Sequence, residues 1–162
     1  MLRPVSWVLV AAFLSLTGCN QTQTASQCTV GAGARPAYPA WASSVLGKSY
    51  LKLYPNKSKC AGNLDPGATK YSGKPSGSTF AGWAWDLEHK RPVDRLLLTD
   101  YLGNIVGVGQ GGFDRPDVPA YDPRVTSKSS GWHGVVSIVS GPVDALGITG
   151  KTTVCPIGDI IL

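Results

Sequence analysis

From Cys60 onward the chain is punctuated too often for long helices. It carries 20 glycines and 12 prolines in 162 residues, and the longest stretch after Cys60 without either is Val93–Leu102. Glycine is costly inside a helix and proline breaks one. Between the breaks, apolar and polar residues alternate at the strand period of two. Thr79–Trp85 puts Trp83 and Trp85 on one face and Phe80, Gly82 and Ala84 on the other. Val93–Thr99 puts Leu96 and Leu98 on one face and Val93, Arg95 and Leu97 on the other, as in a central strand covered on both sides. Gly131–Ser140 aligns Trp132, Gly134, Val136 and Ile138. With Cys60–Leu64, Ile105–Val108, Val143–Thr149 and Lys151–Ile157, this predicts an all-β fold. The expected architecture is an antiparallel β-sandwich, Ig-like or a small barrel, of about six to seven strands.

Turn chemistry separates the strands. Asp65-Pro66-Gly67, the residues from Ser72 to Gly77, and the charged Glu88–Pro92 are turns. Asp100–Asn104 is a hairpin turn in which Gly103 takes positive φ. Residues 109–124 form a long connection, packed against the body as a crossover loop. Ahead of Cys60, Tyr38–Leu46 forms one or two helical turns, with Pro39 in the first turn and Gly47 as the stop. Tyr50–Tyr54 is a short strand or extended segment.

The amino terminus constrains location rather than fold. Arg3 precedes Val5–Leu16, a 12-residue run with no charge, well short of the roughly 20 residues that span a bilayer. Small residues then lead to a cysteine, the sequence of an export signal. The stretch Leu16-Thr17-Gly18-Cys19 resembles the lipobox of bacterial lipoproteins. The resemblance implies cleavage after Gly18 and acylation of Cys19, with the lipid bilayer as the partner held through it. Two or three acyl chains anchor stably where one does not. Asn20 stands where an Asp signals inner-membrane retention in Gram-negative lipoproteins, so an outer-membrane lipoprotein facing the periplasm is expected. The divisions are a signal at 1–18, a lipidated flexible tether at 19–37, a lead-in at 38–57 and a β domain at 58–162.

An exported chain occupies a compartment that permits disulfides. Cys28, Cys60 and Cys155 allow one pair. Cys60–Cys155 is preferred, because the two close the ends of the folded region; Cys28 with either partner remains open. Formal net charge is +5, with the densest lysines between Lys48 and Lys74. No nucleic-acid motif accompanies them, so nucleic acid is not an expected partner.

Three further stretches, Gly82-Trp83-Ala84-Trp85-Asp86, Arg115-Pro116-Asp117-Val118 and Gly131-Trp132-His133-Gly134, resemble a small periplasmic β-sandwich domain. Such domains occur alone or appended to bacterial membrane proteins of envelope polysaccharide assembly. The resemblance covers Cys60 to Ile157, implies the fold and an envelope setting, and carries no catalytic residues.

Motifs for chemistry do not hold. Residues 107–112 match G-x-G-x-x-G, but Phe113-Asp114-Arg115-Pro116 follows instead of a helix. Ser49–Lys52 matches S-x-x-K without the S-D-N element or the chain length of penicillin-recognising enzymes. His89 and His133 have no zinc spacing or nucleophile partner. Asp114, Asp117 and Asp122 could ligate calcium or form a glycosidase pair; a cap by Asp117 and an ion pair from Arg115 explain them better. Trp83 and Trp132 are core. No cofactor, metal or catalytic residue is implied. The expected role is a non-catalytic binding module contacting envelope glycan or an envelope protein, through Phe113, Asp114, Arg115, Asp117 and Tyr121. A structural accessory subunit without a ligand, then a small enzyme acting on envelope glycan, are the alternatives.

Overall fold

A computed structural model describes residues 36–71 and 76–162. The expected signal, Cys19, Cys28, most of the tether and turn residues 72–75 lie outside the described residues. A 3-10 turn at Ala40–Ser44 and a helical turn α1 (Tyr50–Leu53) lead into the strands. These are β1 (Asn56–Lys57), β2 (Cys60–Leu64), β3 (Thr69–Tyr71), β4 (Gly77–Asp86), β5 (Arg91–Pro92), β6 (Arg95–Thr99) and β7 (Ile105–Phe113). A short helix α2 (Val118–Tyr121) precedes β8 (Gly131–Val136), β9 (Pro142–Ile148) and β10 (Thr153–Ile161).

The protein is mostly β, in one mixed sheet curled into a half-barrel. The order is β1-β10-β9-β6-β7-β8-β4-β2, with β3 and β5 also paired to β4. Ten strands stand where about six to seven were expected; β1, β3 and β5 hold only two or three residues each. The sheet is single, and β1 pairs parallel with β10 while the other ladders are antiparallel. β1 and β2 lie at opposite ends of the strand order, yet only Ser58 and Lys59 separate them in the chain. One stretch of chain therefore meets both edges of the sheet.

The ladder does not carry that seam alone. Cys60 and Cys155 form the expected disulfide, with Cα atoms 5.5 Å apart. Further along, a Cβ on Gly62 would lie 2.7 Å from Ile157 Cγ2, and one on Gly158 would lie 2.9 Å from Leu64 Cδ1. Glycine on one strand faces a large apolar side chain on the other, twice in opposite sense.

Three apolar clusters follow from the alternation. Inside the curl lie Leu64, Phe80, Ala84, Leu96, Leu98, Trp132, Val136, Val143 and Ile157. Trp132 is fully buried, and its ring lies across glycines of adjoining strands. Cβ atoms on Gly82 of β4, Gly134 of β8 and Gly109 of β7 would come within 2.9, 3.1 and 3.4 Å of it. Outside, the segment from Tyr38 to Tyr54 covers Leu97, Ile105, Val108, Leu146 and Val154. There Arg95 stands 5.5 Å from the Trp41 ring. The second outer cluster joins Val118 and Val125 of the long connection to Ala61, Trp83 and Trp85. Both tryptophans expected as core are buried, though on opposite sides of the sheet.

Four local expectations change. Tyr50–Leu53, within the expected extended segment Tyr50–Tyr54, is helical: Tyr50 N–H bonds the Gly103 carbonyl and Tyr54 N–H returns to the Tyr50 carbonyl. Val93 lies just outside a strand and packs inward with Leu96, not outward with Leu97. β10 starts at Thr153 and continues to Ile161 instead of covering 151–157. β7 runs on to Phe113, so the start of the supposed loop is strand. Its glycines suit close approach of neighbouring side chains and backbone, which is one meaning of glycine within a strand. The hairpin meets expectation: Gly103 has φ 79°, and Asp100 accepts from the Leu102 and Asn104 N–H groups at 2.9 and 2.8 Å.

Replacing Cys60 and Cys155 together by alanine reopens a loop with a sequence separation of 95. The expected loss is about 4–5 kcal/mol in the chain-entropy account, measured by urea unfolding against the oxidised protein. Gly82→Ala forces a methyl into the Asn63 backbone carbonyl of β2 and against the Trp132 ring, and should cost at least about 1–3 kcal/mol. Its near-ultraviolet circular dichroism should change more than the far-ultraviolet spectrum.

Candidate functional site

The five residues expected at a ligand surface fall in three places. They divide into an aromatic step, a clasp and the rim of a cleft.

The step depends on a bulge. From Gly107 the residues of β7 alternate as far as Gln110, which pairs with His133 and accepts a 3.4 Å bond from Trp41 Nε1 on the outer face. Gly112 then takes φ 96°, and the register with β8 shifts between Gly111 and Phe113. An inserted glycine of this kind reverses which side the following residue faces. Without it Phe113 would point into the curl; with it Phe113 stacks on His133, ring centroids 4.2 Å apart and planes 17° from parallel. Phe113 is 41% exposed. Beside His133 a groove of about 380 Å³ is lined by Thr69, Thr79, Ala81, His133 and Val135, with Pro36 at its edge.

Arg115 is the clasp. Its Nε and Nη2 donate to the Asp117 carboxylate, the shortest bond being 2.9 Å, while Nη1 donates to both oxygens of Asp65 at 2.9 and 3.1 Å. The hydrogen bond to Asp117, then Asp65, raises the Arg115 pKa above its already high ordinary value, against the opposing effect of desolvation. In return the Arg115 bond holds the Asp117 carboxyl below the usual range. Asp117 precedes α2 without a side-chain cap, so the ion pair forms as expected and the cap does not. Asp114 accepts a 3.4 Å bond from Ser129 Oγ within the same connection. Arg115, Asp117 and Asp114 thus hold the loop in place.

Tyr121, 82% exposed, stands at a cleft of about 460 Å³ lined by Cys60, Asn63, Trp83, Asp122, Arg124 and Ile157. Arg124 donates to Asp122 at 2.6 Å, a bond that lowers the Asp122 pKa.

Asp86, Asp117 and His133 would have to converge for an enzyme of the kind considered above. Asp86 is buried at the end of β4, where it accepts from the Glu88 and His89 N–H groups and meets His89 Nδ1 at 2.6 Å. Each of the three is engaged with different neighbours. Sequence reasoning missed His133 as part of the step and Asp65 as part of the clasp. His133 shares a strand face with Val135, a signal that was available; Asp65 lies 50 residues from Arg115 and gave none.

Set against known protein families, curated proteins and solved structures, the chain matches none.

Arg115→Met should free the loop. Hydrogen exchange at the amides of residues 114–126 should quicken while β6 and β9 stay protected. Because the Asp117 pKa is lowered on folding, the stabilisation it reports is present above the ordinary value of 3.8 and disappears as pH falls through the lowered one. Wild-type exchange in this loop should therefore approach that of the variant only in acid, below the ordinary carboxylate value.

Proposed function

We propose that the chain is a lipid-anchored envelope lipoprotein, acylated at Cys19 and directed to the outer membrane. It binds an envelope glycan without transforming it, and its contact surface is the Phe113–His133 step with the adjoining groove. The observation that carries this reading is the stacked, partly exposed ring pair placed on the outer wall by the Gly112 bulge. A flat apolar ring presented at low entropic cost, beside the Thr69 hydroxyl and a Thr79 hydroxyl that donates to the Thr69 carbonyl and can still accept, suits a polyhydroxylated ring with one apolar face. A binding role is supported over a catalytic one by the separate engagements of Asp86, Asp117 and His133. The resemblance of the tryptophan stretches to periplasmic domains of polysaccharide assembly supports the setting.

Full-length protein in detergent should bind peptidoglycan or envelope polysaccharide fragments. Phe113→Ala should weaken binding about tenfold or more, the loss of a buried aromatic anchor, with the melting temperature little changed. Undiminished binding in that variant would move the contact elsewhere. No glycan binding, alongside a specific envelope protein in cross-linking, would favour the accessory-subunit role.

A further inference from the structure

The exposed large apolar side chains are not scattered. Among the described residues they are Leu51, Tyr101, Leu102, Val139 and Ile161, with Phe113 and Tyr121 apart. Register places the first five together. Thr99 at the end of β6 pairs with Asp144 near the start of β9, and Ile161 at the end of β10 pairs with Pro142. Gly107 near the start of β7 pairs with Val136 at the end of β8. The 100–104 hairpin, the 137–141 turn and the carboxyl terminus therefore share one end of the half-barrel. Leu51 joins them, because its Cδ1 would lie 4.0 Å from a Cβ on Gly103. Phe113 stands at the opposite end of β7.

We propose that this end lies on the phospholipid surface, with Tyr101 and Leu102 at the boundary between headgroups and acyl chains. The proposal rests on the membrane-anchored reading above and adds a second contact made by the folded body itself. Tyr101 and Leu102 project from a tight hairpin, 75% and 63% exposed. Tyrosine suits that boundary, since its ring is apolar and its hydroxyl stays wet. Lys48 and Lys52 stand beside the hairpin, lining with Asn104 a cavity of about 410 Å³. Lys48 Nζ donates one bond to the Ser44 carbonyl at 2.7 Å; its other N–H groups and the Lys52 ammonium can meet lipid phosphates while the stems lie along apolar surface. The acidic side chains towards this end are Asp100 and the directly opposed Asp144 and Asp159 on β9 and β10. The Asp100 carboxylate is occupied by the Leu102 and Asn104 N–H groups and the Asn104 side chain. Apolar insertion is therefore the main attraction and lysine contact the smaller one.

The anchor permits this pose. Residues 20–35 separate Cys19 from Pro36, a length of chain that spans up to about 55 Å. β7 has 9 residues, which at roughly 3.4 Å each is about 30 Å. The lipid at Cys19 and the hairpin can touch one bilayer together. The Phe113–His133 step then faces away from the membrane.

The test uses the acylated full chain in phosphatidylethanolamine–phosphatidylglycerol vesicles containing a phosphatidylglycerol with a diazirine on its acyl chain. After illumination, adducts are mapped by peptide mass spectrometry. Adducts should fall on Tyr101, Leu102 and Leu51. Tyr101→Asp with Leu102→Asp should lower their yield about tenfold, with intact mass still reporting acylated Cys19 and the melting curve unchanged. Lys48→Gln with Lys52→Gln should lower it less. Adducts confined to the amino-terminal peptide, adducts mainly near Phe113 and Tyr121, or an unchanged yield in the aspartate variant would overturn the proposal. So would a dimer of the full chain in detergent that the aspartate variant abolishes, which would assign the surface to a second copy. An unmodified Cys19 would remove the anchored reading alone, and hairpin adducts on added vesicles would still support the lipid contact.

Discussion

The seam between β2 and β10 is the constraint on which the half-barrel depends. Elsewhere a ladder of backbone hydrogen bonds holds neighbouring strands, and β1 extends that ladder to β10 for only two residue pairs. Beyond Ser58, whose N–H still reaches the Val154 carbonyl at 3.0 Å, the closure is made by the Cys60–Cys155 bond, Gly62 under Ile157, and Leu64 over Gly158. Such a contact needs complementary sizes at each step, which explains why glycine appears where a strand would otherwise favour a branched residue. It also keeps the apolar interior out of water without a full ladder.

The interior has the same logic. Trp132 fills the curl by lying on glycines from β4, β7 and β8, so strand curvature and ring volume are matched. The outer wall is then covered in two places by non-strand chain: the segment from Tyr38 to Tyr54 over Leu97 and Leu146, and the long connection over Trp83 and Trp85. What remains bare is the region of β4, β8 and the end of β7, where the aromatic step stands. The candidate surface is thus the part of the wall that neither cover reaches.

The tryptophan, Arg-Pro-Asp-Val and Gly-Trp-His-Gly stretches now have a physical meaning in this chain. Gly82 pairs with Trp132 and Trp83 with Gly131. Val118 packs in the cluster of Trp83 and Trp85, and a Cβ on Gly131 would lie 2.8 Å from Arg115 Cγ. The three stretches meet at one corner and dock the long connection onto the sheet. Their packing brings Arg115 and Asp117, expected at a contact surface, into pairs with each other and with Asp65. Phe113 reached the outer face through a bulge, and a bulge leaves little trace beyond a second glycine in a run already rich in them.

The sequence by itself determined the β character, the faces of β4 and β8 and the hairpin at Gly103; for the disulfide it offered a preference for Cys60–Cys155 with Cys28 still open. The first three follow from local sterics and from the period-two burial of side chains. Only the tertiary structure decided that the strands make one curled sheet, that Cys60 pairs with Cys155, that Tyr50–Leu53 winds into a helical turn, and that five exposed apolar side chains share one end. Those outcomes depend on which strands neighbour which, and on contacts such as Tyr50 with Gly103 and Arg115 with Asp65. Residues that far apart in the chain carry no local signal of their meeting.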